Sequence, residues 1–302
     1  MAGKLTTRVS FYLVHLKFFF SVVQFLKFQL LICSIYVNAF FPKEVLPILK
    51  LSILSSGSGG NSVYIEAGEK RILIDAGLSG KKLSARMDHI DRSFTGMDAV
   101  FATHEHSDHI RGIGPLLRKY DIPLYTTEGT WRRANSSIGK INSLNTIREN
   151  EPVHFGELSV EPYSTPHDAE ESVAFVIRYR GKNLGIATDL GRVTHEVKNK
   201  LKNLDALLVE ANHDISMLEA GPYPWATQKR IKSGVGHLSN EACGEILASV
   251  KHPGLKLVIL MHMSETNNHP EIAKITALQA LGQSSPEMLL AHQDHPTELL
   301  TV

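Results

Sequence analysis

The stretch THEHSDH places His104, His106, Asp108 and His109 within six positions, directly after the apolar run AVFA. A lone histidine usually ends as a satisfied core or surface residue. Three histidines and an aspartate in one loop do not fit that account. Neutral imidazole and carboxylate together suit zinc and neighbouring first-row ions. One short loop cannot easily close a tetrahedron around a single ion with all four. His104 and His106 can reach one ion, while Asp108 and His109 point the other way, toward a second. Two ions about 3.5–4 Å apart are the arrangement used for displacement at phosphorus or carbonyl centres. Each ion then needs ligands from elsewhere, so the fold must bring distant residues to this loop.

The rest of the chain offers them at the ends of apolar runs. LSIL, DAVFATH, IPLYTT, LSVEPYSTPHD, DALLVEANHD and LKLVILMHMS read as strands, and VYIEAGEKRILIDAG and SVAFVIRYRGKNLGIATDLG as strand pairs. Gly68-Glu69 marks a tight turn, and SVAFVIRYRGKNLGIATDLG a hairpin. His104, His167, Asp189 and His262 each follow a strand. Strand ends gathered at one sheet edge are rigid posts from which loops can converge. DHIRGIGPLLRKYD has helical spacing that Gly114-Pro115 must kink or restart. SNEACGEILASV predicts a helix capped by Ser239 or Asn240, and PEIAKITALQALG one with Pro270 in its first turn. No Pro/Gly/Ser linker divides residues 49–302, which read as one domain of mixed sheets covered by helices.

Residues 1–48 differ in character. Positions 11–41 are largely apolar and aromatic, but Lys17 and Lys27 interrupt them. The weak targeting signal favours a start-site artefact, with a membrane anchor through residues 11–41 as the alternative and an amphipathic surface helix last. Membrane contact is expected only if this extension is native. A net charge of +1 supplies no global field for nucleic acid or membranes. Two distant cysteines, Cys33 and Cys243, give neither a disulfide framework nor zinc-ribbon spacing, and suit the cytoplasm.

THEHSDH, with LIDAG upstream and TPHD, ATDLG and MHMSETNN downstream, resembles the metallo-β-lactamase superfamily. SILSSGSGGNS, GPYPWATQKRIKSGVGHLSNE and HMSETNN are similar to its YycJ/WalJ branch of bacterial cytosolic 5′→3′ DNA exonucleases. The resemblance covers about residues 50–302; members typically begin almost at LSIL, so the extension is the departure. It implies an α/β (α+β) fold, a four-layer αββα sandwich with the site at one edge. It implies two divalent ions, zinc or manganese: one on His104, His106 and His167, the other on Asp108, His109 and His262, with Asp189 bridging. Asp75 would orient the histidine loop, or be no more than a strand-end turn residue.

Such a centre makes hydroxide available near neutral pH, and the expected nucleophile is a bridging hydroxide. Asp108 is counted among both the ligands and the catalytic groups. His237 is the candidate acid for the leaving oxygen, oriented by Glu210, as in tRNA-processing relatives; the competing reading makes His237 a helix cap. His213 is an auxiliary candidate.

The substrate evidence is local. Tyr223 and Trp225 stand beside Lys229, Arg230 and Lys232, a mixture suited to phosphates and unpaired bases. Trp131, Arg132 and Arg133 repeat it; surface charge beside anchoring aromatics explains both equally simply. SSGSGGNS is not a dinucleotide fingerprint, because a strand follows it; its glycines and Asn61 could face substrate or form a turn. The expectation is a hydrolase of single-stranded or 5′-ended DNA. The alternatives are a thioesterase or lactonase of the same fold, then a non-catalytic binding module. The sequence leaves oligomeric state open.

Overall fold

The computed structural model describes residues 48–284 and 286–302, together with Gln29. The expectations for residues 1–48, including the anchor through 11–41, fall outside the described residues except at Gln29 and Ile48. Among the described residues, no helix is long and apolar enough to cross a membrane.

Many of the apolar runs continue without alternation because they are buried on both faces. In β1 (Leu49–Ser55), Leu49, Leu51 and Ile53 face one apolar cluster and Leu54 another. The same split separates Val63 and Ile65 from Tyr64 in β2 (Ser62–Ala67), and Ile72 and Ile74 from Leu73 in β3 (Lys70–Ile74). A strand alternates its side chains between faces, so two apolar faces demand a layer on each side.

β1, β2 and β3 pair antiparallel, turning at Gly68 (φ 60°) between the last two. β4 (Ala99–Phe101), β5 (Leu124–Thr126) and β6 (Leu144–Thr146) continue that sheet in parallel. The second sheet opens with antiparallel β7 (Val153–Phe155), β8 (Leu158–Ser164), β9 (Val173–Tyr179) and β10 (Lys182–Ala187). It continues in parallel through β11 (Ala206–Glu210), β12 (Leu257–Met261) and β13 (Glu287–Leu290). β14 (Leu300–Thr301) returns to the outer edge of β1. The orders are β14-β1-β2-β3-β4-β5-β6 and β13-β12-β11-β10-β9-β8-β7.

The inner core lies between the sheets, where Ile53, Ile65, Ile74 and Phe101 meet Phe175, Ile177, Leu208 and Ile259. Over the first sheet lie α1 (Gly80–His89), the short α2 (Ser107–Ile110), α3 (Ile113–Tyr120) and α4 (Glu128–Ile138). Leu83, Met87, Leu116, Leu117 and Ile138 pack onto it. Following in sequence are α5 (His195–Lys200), α6 (Ile215–Ala220), α7 (Trp225–Ile231), α8 (Asn240–Val250) and α9 (Pro270–Leu281). Val197, Cys243, Ile246, Leu247, Ala273 and Ala277 close the second sheet. This is the expected αββα sandwich.

Two local expectations are sharpened. The helical stretch after the histidine loop breaks earlier than Gly114-Pro115: α2 ends at Ile110 and α3 starts after Gly112. Pro115 then sits in the first turn of α3, where a missing N–H breaks no helical bond. Ser239, not Asn240, caps α8, its side chain accepting from Ala242 N. The sequence patterns do not announce α1, α4, α5, α6 or α7; the buried face of α4 is Gly129, Thr130, Ala134 and Ile138, too small and polar to give an apolar period.

Candidate metal centre

The loop after β4 carries His104 and His106, and α2 carries Asp108 and His109. His167 follows β8, Asp189 follows β10 and His262 follows β12, all toward the same sheet edge. Asp75, Asp189 and His262 hold left-handed backbone, with φ of 60°, 58° and 53°. Such conformations are uncommon outside glycine, cost energy and cluster at functional positions. A close backbone approach supports the loop: a Cβ on Gly77 would stand 1.6 Å from the Asp108 carbonyl oxygen.

The ligand atoms of His104, His106 and His167 lie within 4.8 Å of one another, as do those of Asp108, His109 and His262. His106 Nδ1 is 3.0 Å from His104 Nε2 and 3.3 Å from His167 Nε2. Asp189 stands between the groups: Oδ2 is 3.4 Å from His109 Nε2, and Oδ1 is 3.9 Å from His167 Nε2 and 3.4 Å from His262 Nδ1. Two buried atoms in the cluster, Asp189 Oδ2 and His262 Nε2, have no hydrogen-bond partner. Unpaired buried polar atoms are costly, and a cation bound in place of the His262 proton satisfies both. The donor set of five imidazoles and two carboxylates fits divalent metal ions.

The surrounding residues fix which histidine nitrogen faces inward. Asp75 accepts from Thr103 N and Thr103 Oγ1, each at 2.8 Å, and from His109 Nδ1 at 2.8 Å. That leaves His109 Nε2 facing the cluster. His167 Nδ1 donates to the Gly236 carbonyl at 3.1 Å, leaving Nε2 toward His106. Glu210, fully buried, receives four bonds. Its Oε2 accepts from Leu190 N (2.9 Å) and Leu238 N (3.2 Å). Its Oε1 accepts from His237 Nδ1 and His262 Nδ1, both at 2.8 Å. Asn61, expected as a substrate contact, has both ends engaged inside the protein. Its Oδ1 accepts from Gly57 N at 2.9 Å, and Nδ2 lies 3.2 Å from Asp108 Oδ2 and 3.0 Å from His109 Nε2.

Protonation follows from this crowding. Burial opposes charge on His109, yet Asp189 and Asp75 outweigh it and hold its pKa well above the usual value. Burial likewise opposes charge on His262, where Asp189, Asp108 and Glu210 prevail and raise it. His104 goes the other way, pushed down by burial and then by His109. Burial works against the Glu210 carboxylate, but His237 and His262 hold its pKa well below the ordinary range.

Residues 70–263, which span every one of these ligands, match a Beta-lactamase superfamily domain. The exodeoxyribonuclease YycJ of Bacillus anthracis is 36% identical over 252 residues, covering 83% of this chain and 96% of that protein. The chain belongs to the metallo-β-lactamase superfamily, in its YycJ/WalJ branch. Another branch member, the exodeoxyribonuclease WalJ of Streptococcus pneumoniae, is 39% identical across 78% of this chain and 89% of its own length. The metallo-beta-lactamase fold protein YhfI from Bacillus subtilis shares the fold, with a TM-score of 0.65 at 17% identity over 83% of this chain and 99% of that one.

In this YycJ/WalJ-branch chain, a cleft of about 280 Å³ opens over the cluster, bordered by Asp189, His237, His262, Ser58, Tyr223 and Arg230. The basic aromatic segment is α7 and its approach. Arg230 Nε donates to Asp168 Oδ2 at 2.5 Å, and Lys232 pairs with Glu219 at 2.9 Å. Trp225 is 73% exposed, with Lys229 Nζ 5.0 Å from its ring centroid. The second basic stretch is differently placed: Trp131 packs against the helix-side core, and Arg132 and Arg133 both pair with Glu170. Sequence reasoning missed Asp168, the Gly236 carbonyl and the bond from His262 to Glu210. Only Asp168 carried a signal, its place beside His167 in TPHD.

Proposed function

We propose that residues 49–302 form a two-metal phosphodiesterase of the cytoplasm that releases nucleotides from the 5′ end of DNA, on zinc or manganese. The observation that carries the reading is the Glu210–His237 hydrogen bond of 2.8 Å, set beside the ligand cluster in a cleft that Arg230 borders. The exodeoxyribonuclease names of relatives 36% and 39% identical to this chain support it. A buried, unpaired Cys243 is in keeping with a reducing compartment.

His104, His106 and His167 would hold one ion, Asp108, His109 and His262 the other, and Asp189 both. When bound, such a pair supplies Lewis acidity and a water acidified towards neutrality. The chain's own residues do the remainder. With Nδ1 bound to Glu210, His237 has Nε2 free to give a proton to the leaving oxygen. Glu210 stabilises the charged imidazole that performs this transfer. Arg230 and Lys229 offer charge to the phosphates, and the exposed Trp225 face offers a base a stacking surface.

The test is metal-loaded protein incubated with 5′- and 3′-labelled single- and double-stranded DNA, with thioesters and lactones in parallel. Mononucleotide release from 5′ ends is the expected outcome. Turnover of the small molecules with intact DNA would overturn it.

A further inference from the structure

Asp168 has no part in the scheme above, and its two oxygens face different ways. Oδ2 accepts from Arg230 Nε at 2.5 Å. Oδ1 is buried and has no hydrogen-bond donor. That oxygen lies 3.4 Å from His167 Nε2 and 4.0 Å from His106 Nε2. Because His167 Nδ1 donates to the Gly236 carbonyl, its Nε2 presents a lone pair. A carboxylate oxygen facing an imidazole lone pair, with nothing between them to donate, is repulsive. It becomes favourable when a cation stands between. The Arg230 side also needs a reason: its guanidinium is held at the rim of the cleft by the residue that adjoins the ligand His167.

We infer that Asp168 joins the His104/His106/His167 metal site to the substrate helix α7, Oδ1 adding a protein group beyond the three histidines and Asp189 while Oδ2 positions Arg230 for a phosphate. The inference rests on the two-metal reading of the cluster. Loading of this site then fixes Asp168, and Asp168 fixes Arg230, so grip on the substrate phosphate depends on the metal. Arg230 remains free to exchange one anionic partner for another, because its bond to Asp168 is made at the exposed end of the carboxylate.

The experiment compares full-length wild type, Asp168→Asn and Arg230→Met. Zinc and manganese affinities are read by chelator competition, without any substrate, and KM and kcat are read on 5′-labelled DNA. Loss of a group supporting a metal ligand costs about 10- to 100-fold in affinity. Asp168→Asn is expected to weaken one of the two equivalents by that factor, leave the other unchanged, and raise KM for DNA. Arg230→Met is expected to raise KM alone, with both metal affinities kept. If Asp168→Asn binds both equivalents like wild type, Asp168 is only an anchor for Arg230 and the inference fails. Wild-type protein that binds fewer than two equivalents sinks the underlying reading instead. A circular-dichroism melt of the metal-free variants separates either result from misfolding.

Discussion

Glu210→Gln is the most informative single change at this site. The carboxylate is fully buried and accepts four N–H donors on two oxygens. Glutamine keeps the shape but replaces one oxygen by an NH2. The backbone donors of Leu190 and Leu238 cannot change, so the remaining oxygen stays with them. The NH2 then confronts His237 Nδ1 and His262 Nδ1, where two donors cannot face a third. Each histidine escapes by moving its proton to Nε2. On His262 that proton occupies the nitrogen that is otherwise buried and unpartnered, where the ion would bind. Loss of such an orienting partner costs about 10- to 100-fold in metal affinity, roughly 1.4–2.8 kcal/mol. On His237 the doubly protonated form loses its counter-charge. Loss of a positioned acid costs about 10²- to 10⁴-fold in rate. The two effects act through one unit and will not add. Chelator competition reads the first, and single-turnover nucleotide release at saturating metal reads the second. Wild-type metal affinity together with a wild-type rate would refute the reasoning.

Three further outcomes are expected. His237→Ala should keep both metals and lose about 10²- to 10⁴-fold in cleavage of DNA, but much less on an ester with a good leaving group such as nitrophenolate; an equal loss on both would make His237 structural. Gly77→Ala should cost at least about 1–3 kcal/mol, since its new Cβ overlaps the Asp108 carbonyl at 1.6 Å; an unshifted melting temperature would contradict the packing argument. His109 and His262 carry raised pKa values, which stabilise the metal-free fold below the ordinary histidine range; that stability is lost as pH rises through the folded values. Metal loading displaces the same protons, so affinity should weaken as pH is lowered and binding at neutral pH should release protons. Calorimetry in buffers of different ionisation enthalpy measures that release, and finding none would reject the assignment.

Mixed sheets covered by helices and the gathering of polar strand ends were readable from patterns along the chain, whereas the four-layer order was implied by the family resemblance. A strand buried on both faces is apolar along its length, as β12 is throughout and β11 is up to Glu210 at its end. A residue just past such a strand must stand at a sheet edge, as Asp189 and His262 do. The spacing of His104, His106, Asp108 and His109 likewise anticipates their division into two groups. What escaped depends on direction and neighbours. Arg132, Arg133 and Arg230 have similar sequence surroundings, yet the first two pair with Glu170 and do not border the cleft, while the third lines it. Glu210 was legible as a partner for His237, but its second bond, to His262, depends on where β11 and β12 lie in register. α1 buries only Leu83 and Met87, too few positions to mark a helix in the sequence.

The central claim is that the seven side chains hold two ions that together hydrolyse DNA. Titrating zinc or manganese into metal-free protein, with bound metal and nucleotide release from 5′-labelled DNA followed in the same sample, tests it most directly. The expected result is saturation at two equivalents, with exonuclease activity appearing as the second site fills. Full activity at one equivalent or without metal, or two bound equivalents with DNA left intact, would contradict it.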